Sequence, residues 1–174
     1  MRLFFALLPD SNTCDRLSMA AANLRLSGRA LIIAPENYHV TLAFVGDVGD
    51  SDVPAYRELG AALSAPRCEI DLNACEYWPS SQAVVLAARD NPPALGALTD
   101  RLRAAVVAHK PSGGAETSWR AHATLARKVA QAPVLTAMCS VSWVSRSFAL
   151  MRSATGGDHA VYTVVDGWSL LDKC

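Results

Sequence analysis

His39-Val40-Thr41-Leu42-Ala43 and His122-Ala123-Thr124-Leu125-Ala126 are one phrase written twice, 83 residues apart. Both copies lie in alternating apolar surroundings that predict β-strand. Successive side chains on a strand point to opposite faces, so His39 and Thr41 share one face while Val40 and Leu42 share the other. The same parity groups His122 with Thr124 and sends Leu125 to the far side. Two such strands facing a common cleft would supply a general acid, a general base and two hydroxyl donors. Histidine suits both proton-transfer roles because its unperturbed pKa is about 6.5. Opening a cyclic phosphodiester needs that set: a base to take a proton from water and an acid to protonate the leaving oxygen. Hydroxyls can meanwhile donate to the non-bridging oxygens as charge builds at phosphorus. A single His-x-Thr on a strand is ordinary; two copies sharing His, Thr, Leu and Ala are not. No carboxylate cluster accompanies them, so neither a metal nor any other cofactor is expected.

Positioning these strands requires a scaffold that the rest of the chain predicts. Arg2 to Leu8 reads as a first strand, closed by Pro9, and is too short for a secretory leader. Asp10 or Ser11 can cap a helix through Leu17, Ala21 and Leu24 that stops near Gly28. Ala30 to Ile33 is a short apolar run, and Pro35-Glu36-Asn37 turns into the first motif strand, which ends at Gly46. After a polar loop, Val53 to Leu63 predicts a second helix. Cys68 to Trp78 reads as one strand, turned by Pro79-Ser80-Ser81 and paired with Ala83 to Ala88. Asn91-Pro92-Pro93 opens a third helix with Leu95, Leu98, Leu102 and Val106 on one face. Pro111 to Ala115 reads as a flexible loop, and Val129 to Met138 as a loop with a short helix. Ser145 to Ala154 and Val161 to Leu170 are two further strands, joined at Thr155-Gly156-Gly157-Asp158. This order predicts an α+β fold with one motif in each of two similar lobes.

Composition bounds the function. The 174 residues predict one domain, 1–174, with a sizeable core. Sixteen basic and sixteen acidic residues cancel, and no basic stripe marks a grip on long nucleic acid. A small nucleotide or an RNA end fits such neutrality. The five cysteines are scattered, with no C-x-x-C pair, which reads as reduced thiols in a cytoplasmic protein. No run reaches the ~18 apolar residues of a membrane span, and a monomer is expected.

The segments Asn37 to Gly46 and Trp119 to Arg127 resemble the paired signatures of the two-histidine phosphoesterases. More narrowly they resemble the bacterial and archaeal RNA 2′,3′-cyclic phosphodiesterases, formerly described as 2′-5′ RNA ligases. The opening Met1 to Ala6, the Pro35-Glu36-Asn37 turn and the closing Tyr162 to Leu170 also fit that layout, so the resemblance spans nearly the whole chain. It implies a bilobal, pseudo-twofold α+β fold with antiparallel sheets flanking a central cleft. It also implies metal-free hydrolysis of a 2′,3′-cyclic phosphate, at an RNA end or on a nucleotide, to a 2′-phosphate. By the same resemblance His122 is the base, His39 the acid, and Thr41 and Thr124 phosphate ligands. Arg127 matches a position that helps hold phosphate, although simple parity sets it on Leu125's face. It reaches the cleft only if the strand end twists or bulges, and is otherwise a rim charge. Leu31-Ile32 stands where the family often has an Arg-Trp-type pair, Tyr38 where Leu is usual and Ala121 where Pro is common. These departures leave the nucleotide preference open.

Of the other candidates, Phe4, Phe44, Tyr38 and Trp119 could include a base-stacking ring, with core packing the plainer role. Arg120 and Lys128 read as a solvated flank able to steer an anion. His109 and His159 read as surface residues. Competing functions are a nucleotide-binding domain with little catalysis, ligation in the reverse direction, and a cyclic phosphodiesterase of another branch.

Overall fold

A computed structural model describes residues 1–109, 119–134, 140–156 and 159–172. The strands are β1 (Arg2–Leu7), β2 (Leu31–Ile32), β3 (Val40–Asp47), β4 (Cys68–Leu72), β5 (Ala74–Trp78), β6 (Ala83–Ala87), β7 (His122–Arg127), β8 (Val141–Ser145), β9 (Ser147–Gly156) and β10 (His159–Ser169). The helices are α1 (Ser11–Ala22), α2 (Val53–Ala61) and α3 (Pro93–His109), with a 3₁₀ turn at Pro35–Asn37 where a turn is expected.

One antiparallel sheet runs β10-β9-β1-β3-β7-β6-β5, with β2 added beside β7. Its two motif strands are the middle pair, and they meet at one registered position, Val40 opposite Ala123. From that crease the sheet opens into two halves, β3-β1-β9-β10 and β7-β6-β5. The architecture is the bilobal α+β arrangement that the resemblance implies.

The helices cover one face, where Leu3, Phe5 and Leu7 of β1 meet Val40, Leu42 and Val45 of β3 in the main core. The predicted stripe Leu95, Leu98, Leu102 and Val106 of α3 is buried there. Asp10 rather than Ser11 caps α1, its carboxylate accepting from the Thr13 N–H at 2.8 Å. The opposite face carries two small apolar clusters, one in each half: Phe4, Ala6, Ala149 and Met151, and Ala83, Val85 and Ala87.

Several boundaries differ from the sequence reading. α1 stops at Ala22 with Asn23 as its cap residue, short of Gly28. The single strand expected over Cys68–Trp78 breaks at Asn73 into β4 and β5, which join different sheets. Asn73 is held out of line by its own bonds: its N–H donates to Ala87 O at 2.9 Å, and its amide donates to Asp71 Oδ2 at 2.7 Å. β4 pairs instead with β8, a strand starting at Val141 where the sequence reading begins one at Ser145. Arg146 separates β8 from β9, its carbonyl accepting from Leu170 N–H at 2.8 Å. The β9–β10 hairpin forms, but 157–158 of its turn lie outside the described residues. So do the loop expected at 111–115 and residues 135–138 of the expected loop with a short helix. No helix among the described residues is long and apolar enough to cross a membrane.

Candidate active site

The motif parity is realised in space. Val40 and Leu42 of β3, and Ala123 and Leu125 of β7, are buried toward the helices. His39, Thr41, His122 and Thr124 are half-buried on the opposite, cleft-facing side. One step from the Val40–Ala123 pair in either direction sets His39 toward Thr124 and Thr41 toward His122. The pair therefore acts as a local twofold centre, with each histidine diagonal to the other across the crease.

Each imidazole is anchored in the same way. His39 Nδ1 lies 2.7 Å from the Asn37 carbonyl, and His122 Nδ1 lies 2.8 Å from the Arg120 carbonyl. A carbonyl only accepts, so each Nδ1 carries the hydrogen and donates it. Nε2 of each ring is then the atom that can exchange a proton, a lone pair when neutral and a donor when charged.

Aromatic rings fix the imidazole planes. Phe4 lies 5.0 Å from His39 by ring centroids, and Tyr162 meets His39 edge-on at 5.0 Å. Trp78 lies 4.5 Å from His122. Burial is the main reason that the His39 pKa falls to about 4; the Asn37 carbonyl pulls it upward, and the charges of Arg127 and His122 push it down further. That last contribution records that the two histidines feel each other. Trp119 donates its indole N–H to Thr41 O at 2.9 Å, tying the approach to the second motif onto the first. Asn91 completes the brace, donating to Trp119 O at 2.9 Å and accepting from Ala121 N–H at 2.8 Å.

Arg127 takes the bulge rather than the rim. On β6, Val84 and Val85 are consecutive, but on β7 their partners are Ala126 and Thr124, so Leu125 is an extra residue. Leu125 and Ala126 are accordingly both buried, alternation resets, and Arg127 returns to the side of Thr124. β3 shows the same slip: Phe5 and Ala6 pair with Ala43 and Thr41, skipping Leu42. The shared Leu-Ala of the two phrases is thus a β-bulge in each half. Arg127 borders a cleft with Tyr162, Lys128 and the Leu31–Ala34 segment.

Other sequence candidates separate clearly. Tyr38 is buried at 2% exposure and belongs to the core. Phe44 is 57% exposed, with the Arg2 guanidinium 5.7 Å above its ring. Arg120 is not a plain solvated flank, because it pairs with Glu76. Its guanidinium sits 5.7 Å over Trp78. Glu76 also accepts the Trp78 indole N–H at 3.0 Å. His109 is exposed and packs edge-on against Tyr56 at 5.0 Å. Trp78 and Tyr162 were absent from the sequence candidates, and no spacing rule links either to the histidine it touches. Among the described residues no group of three or more His, Cys, Asp or Glu is placed to hold a metal ion.

The result is two Nδ1-anchored imidazoles, two hydroxyls and a guanidinium around one crease. Such a set can bind a phosphodiester anion and move one proton on each side of it. A sequence profile described as the 2′-5′ RNA ligase superfamily matches residues 15–157. The chain is 30% identical over 182 residues to the RNA 2′,3′-cyclic phosphodiesterase of Thermus thermophilus, covering 98% of this chain and 90% of that one. It is 27% identical over 139 residues to the protein of the same name from Escherichia coli K12, covering 79% and 78%. Among solved structures, Escherichia coli LigT complexed with 3′-AMP is similar over 97% of both chains, with a TM-score of 0.84 and 25% identity.

Proposed function

The chain belongs to the 2′-5′ RNA ligase superfamily, and from that footing we propose how its residues carry out the reaction. The protein is a two-histidine cyclic phosphodiesterase acting on 2′,3′-cyclic phosphate at RNA ends or on nucleotides. The observation that carries the residue assignment is the pair of imidazoles anchored through Nδ1 on either side of Val40 and Ala123. Thr41 and Thr124 donate to the non-bridging phosphate oxygens, and Arg127 balances the anion's charge.

His122 Nε2 takes a proton from water, whose oxygen bonds to phosphorus. The bond from phosphorus to the 3′ oxygen breaks, and His39 Nε2–H protonates that oxygen, leaving a 2′-phosphate and a 3′-hydroxyl. In the free protein burial holds His39 neutral at pH 7. A bound phosphodiester anion favours the charged ring and offsets Arg127, so substrate binding loads the acid with its proton. No step requires a metal. We take residues 1–174 as one domain, supported by the continuous sheet, and place the protein in the cytoplasm as a monomer.

The test is turnover of an oligoribonucleotide ending in 2′,3′-cyclic phosphate, in EDTA, with wild type, His39→Ala and His122→Ala. Wild type is expected to survive chelation, and each variant to lose roughly a hundred- to ten-thousand-fold in rate. A nitrophenyl phosphodiester separates the two roles, because its leaving group needs no acid. On that substrate His39→Ala regains activity and His122→Ala does not. Activity that persists in both variants on the cyclic phosphate would remove the histidines from the chemistry.

A further inference from the structure

The outermost strands of the sheet, β10 and β5, reach the two histidines in the same pattern. On β10, Ala160 O accepts from the Asn37 side-chain amide at 3.0 Å, and Tyr162, two residues on, sets its ring edge-on against His39. On β5, Glu76 pairs with the Arg120 guanidinium, and Trp78, two residues on, lies against His122. A spacing of two keeps tie and ring within one strand repeat of about 7 Å. Asn37 and Arg120 correspond as well. Each stands two residues before a motif histidine and offers its backbone carbonyl to that histidine's Nδ1. The local twofold at Val40 and Ala123 therefore extends to both edges of the sheet.

Asn37 is held at three points. Its N–H donates to Ala34 O at 2.9 Å in the 3₁₀ turn, its carbonyl receives His39 Nδ1–H at 2.7 Å, and its side chain reaches Ala160, 123 residues on. A carbonyl only accepts, so the amide nitrogen of Asn37 is the atom that faces Ala160. The next residue, Tyr38, is buried in the core and fixes the segment from that side. The Ala160 bond fastens this turn to the strand that carries Tyr162. It is neutral where its counterpart on β5 is ionic, so it sets geometry without adding a charge to a ring that already feels Arg127 and His122.

Resting on the roles proposed above, we infer that Asn37 is a positioning residue of the acid half. Its amide bond to Ala160 locks together the carbonyl that orients His39 and the Tyr162 ring that packs on it. Asn37 acts through His39 and needs no contact with the phosphate. Without the bond, the turn and β10 move apart, and the imidazole samples orientations in which Nε2–H misses the leaving oxygen. The base half keeps its own tie through Arg120 and Glu76.

The measurement is steady-state turnover by Asn37→Leu, which keeps the side-chain volume and removes the donor, beside His39→Ala and Glu76→Gln. Two substrates are compared: the oligoribonucleotide ending in 2′,3′-cyclic phosphate, whose leaving oxygen needs the acid, and the nitrophenyl phosphodiester, whose leaving group does not. On the cyclic phosphate Asn37→Leu is expected to lower kcat about tenfold and to change KM by less than about twofold; on the nitrophenyl ester it should keep more than about half of the wild-type rate. Glu76→Gln, on the base side, should slow both. Equal slowing of both substrates by Asn37→Leu would mean a general loosening of the fold and would overturn the inference. Tyr162→Leu probes the same clamp with Asn37 intact, is expected to show the same substrate pattern, and is the deciding variant where Asn37→Leu does not fold; equal slowing in it also counts against the clamp. The double variant should lose little more than the worse single one, whereas losses that multiply would show two independent contacts and no shared clamp. Unchanged turnover of the cyclic phosphate by Asn37→Leu, with His39→Ala impaired, would overturn the inference and leave the two-histidine reading standing. Full activity in His39→Ala would sink both.

Discussion

His39 keeps its lone pair at a pH where an exposed histidine would begin to charge, and this couples the site to acid stability. Its pKa is about 4 in the folded protein, chiefly through burial, against about 6.5 in the unfolded chain. Between those values the unfolded state binds a proton that the native state refuses, so stability falls as pH drops from about 6.5 to about 4. Above that window the contribution is fully present. Thermal midpoints of wild type and His39→Asn across it should diverge by a few degrees, the variant losing less on acidification. Parallel curves would show that His39 is not the source. With His39 as the general acid, this pKa sets the alkaline limb: kcat/KM is expected to fall as pH rises above about 4, and kcat only at higher pH because the bound anion favours the charged ring.

At the scale of elements, the β5–β6 hairpin works as a bracket for His122. Glu76 and Trp78 lie two apart on β5, and one Glu76 oxygen receives both the Trp78 indole and the Arg120 guanidinium. The Trp78 hydrogen bond, then Arg120, hold the Glu76 carboxyl below the usual carboxylate range against a partial opposing effect of burial. Arg120 supplies in turn the carbonyl that orients His122. Glu76→Gln keeps the shape and removes the charge; kcat should fall about tenfold while the fold persists, and unchanged kcat would make the bracket merely structural. Gly60 marks a second contact between elements. A Cβ added there would meet the Trp168 ring at 2.4 Å, which places α2 directly on β10. Gly60→Ala is therefore expected to destabilise by about 1–3 kcal/mol despite alanine's better helix propensity, measured by denaturant unfolding. A more stable variant would show that the ring moves aside.

In the whole molecule, the two halves of the site are joined across a sheet that narrows to the single Val40–Ala123 pair. The helices on the far face carry the core, with Leu7, Val40, Ala123 and Leu125 packed together there. Catalytic geometry across the crease thus depends on packing behind it. Ala123→Val adds two methyl groups at a buried position and should cost about 1–3 kcal/mol. It should also lower kcat several-fold at temperatures where the protein remains folded, because small displacements of reacting groups are costly. A variant that loses stability but keeps full kcat would show that the halves adjust independently.

The motif pair, the strand parity of His39, Thr41, His122 and Thr124, and the buried stripe of α3 were legible because each rests on a local period. Side-chain alternation needs only neighbouring residues, and a helix face needs only a few turns. Arg127 was different: its face depends on a bulge, and the bulge is defined by how β7 registers against β6. The separation of β4 from β5 likewise follows from Asn73 bonding across to Ala87 and from a partner strand some seventy residues away. Trp78 and Tyr162 reach the histidines only once hairpins fold them over, and no sequence period encodes that approach. The sequence by itself determined which groups could do the chemistry. Only the tertiary structure decided which face Arg127 takes and which rings hold the imidazoles, because long-range register and packing are collective properties of the folded chain.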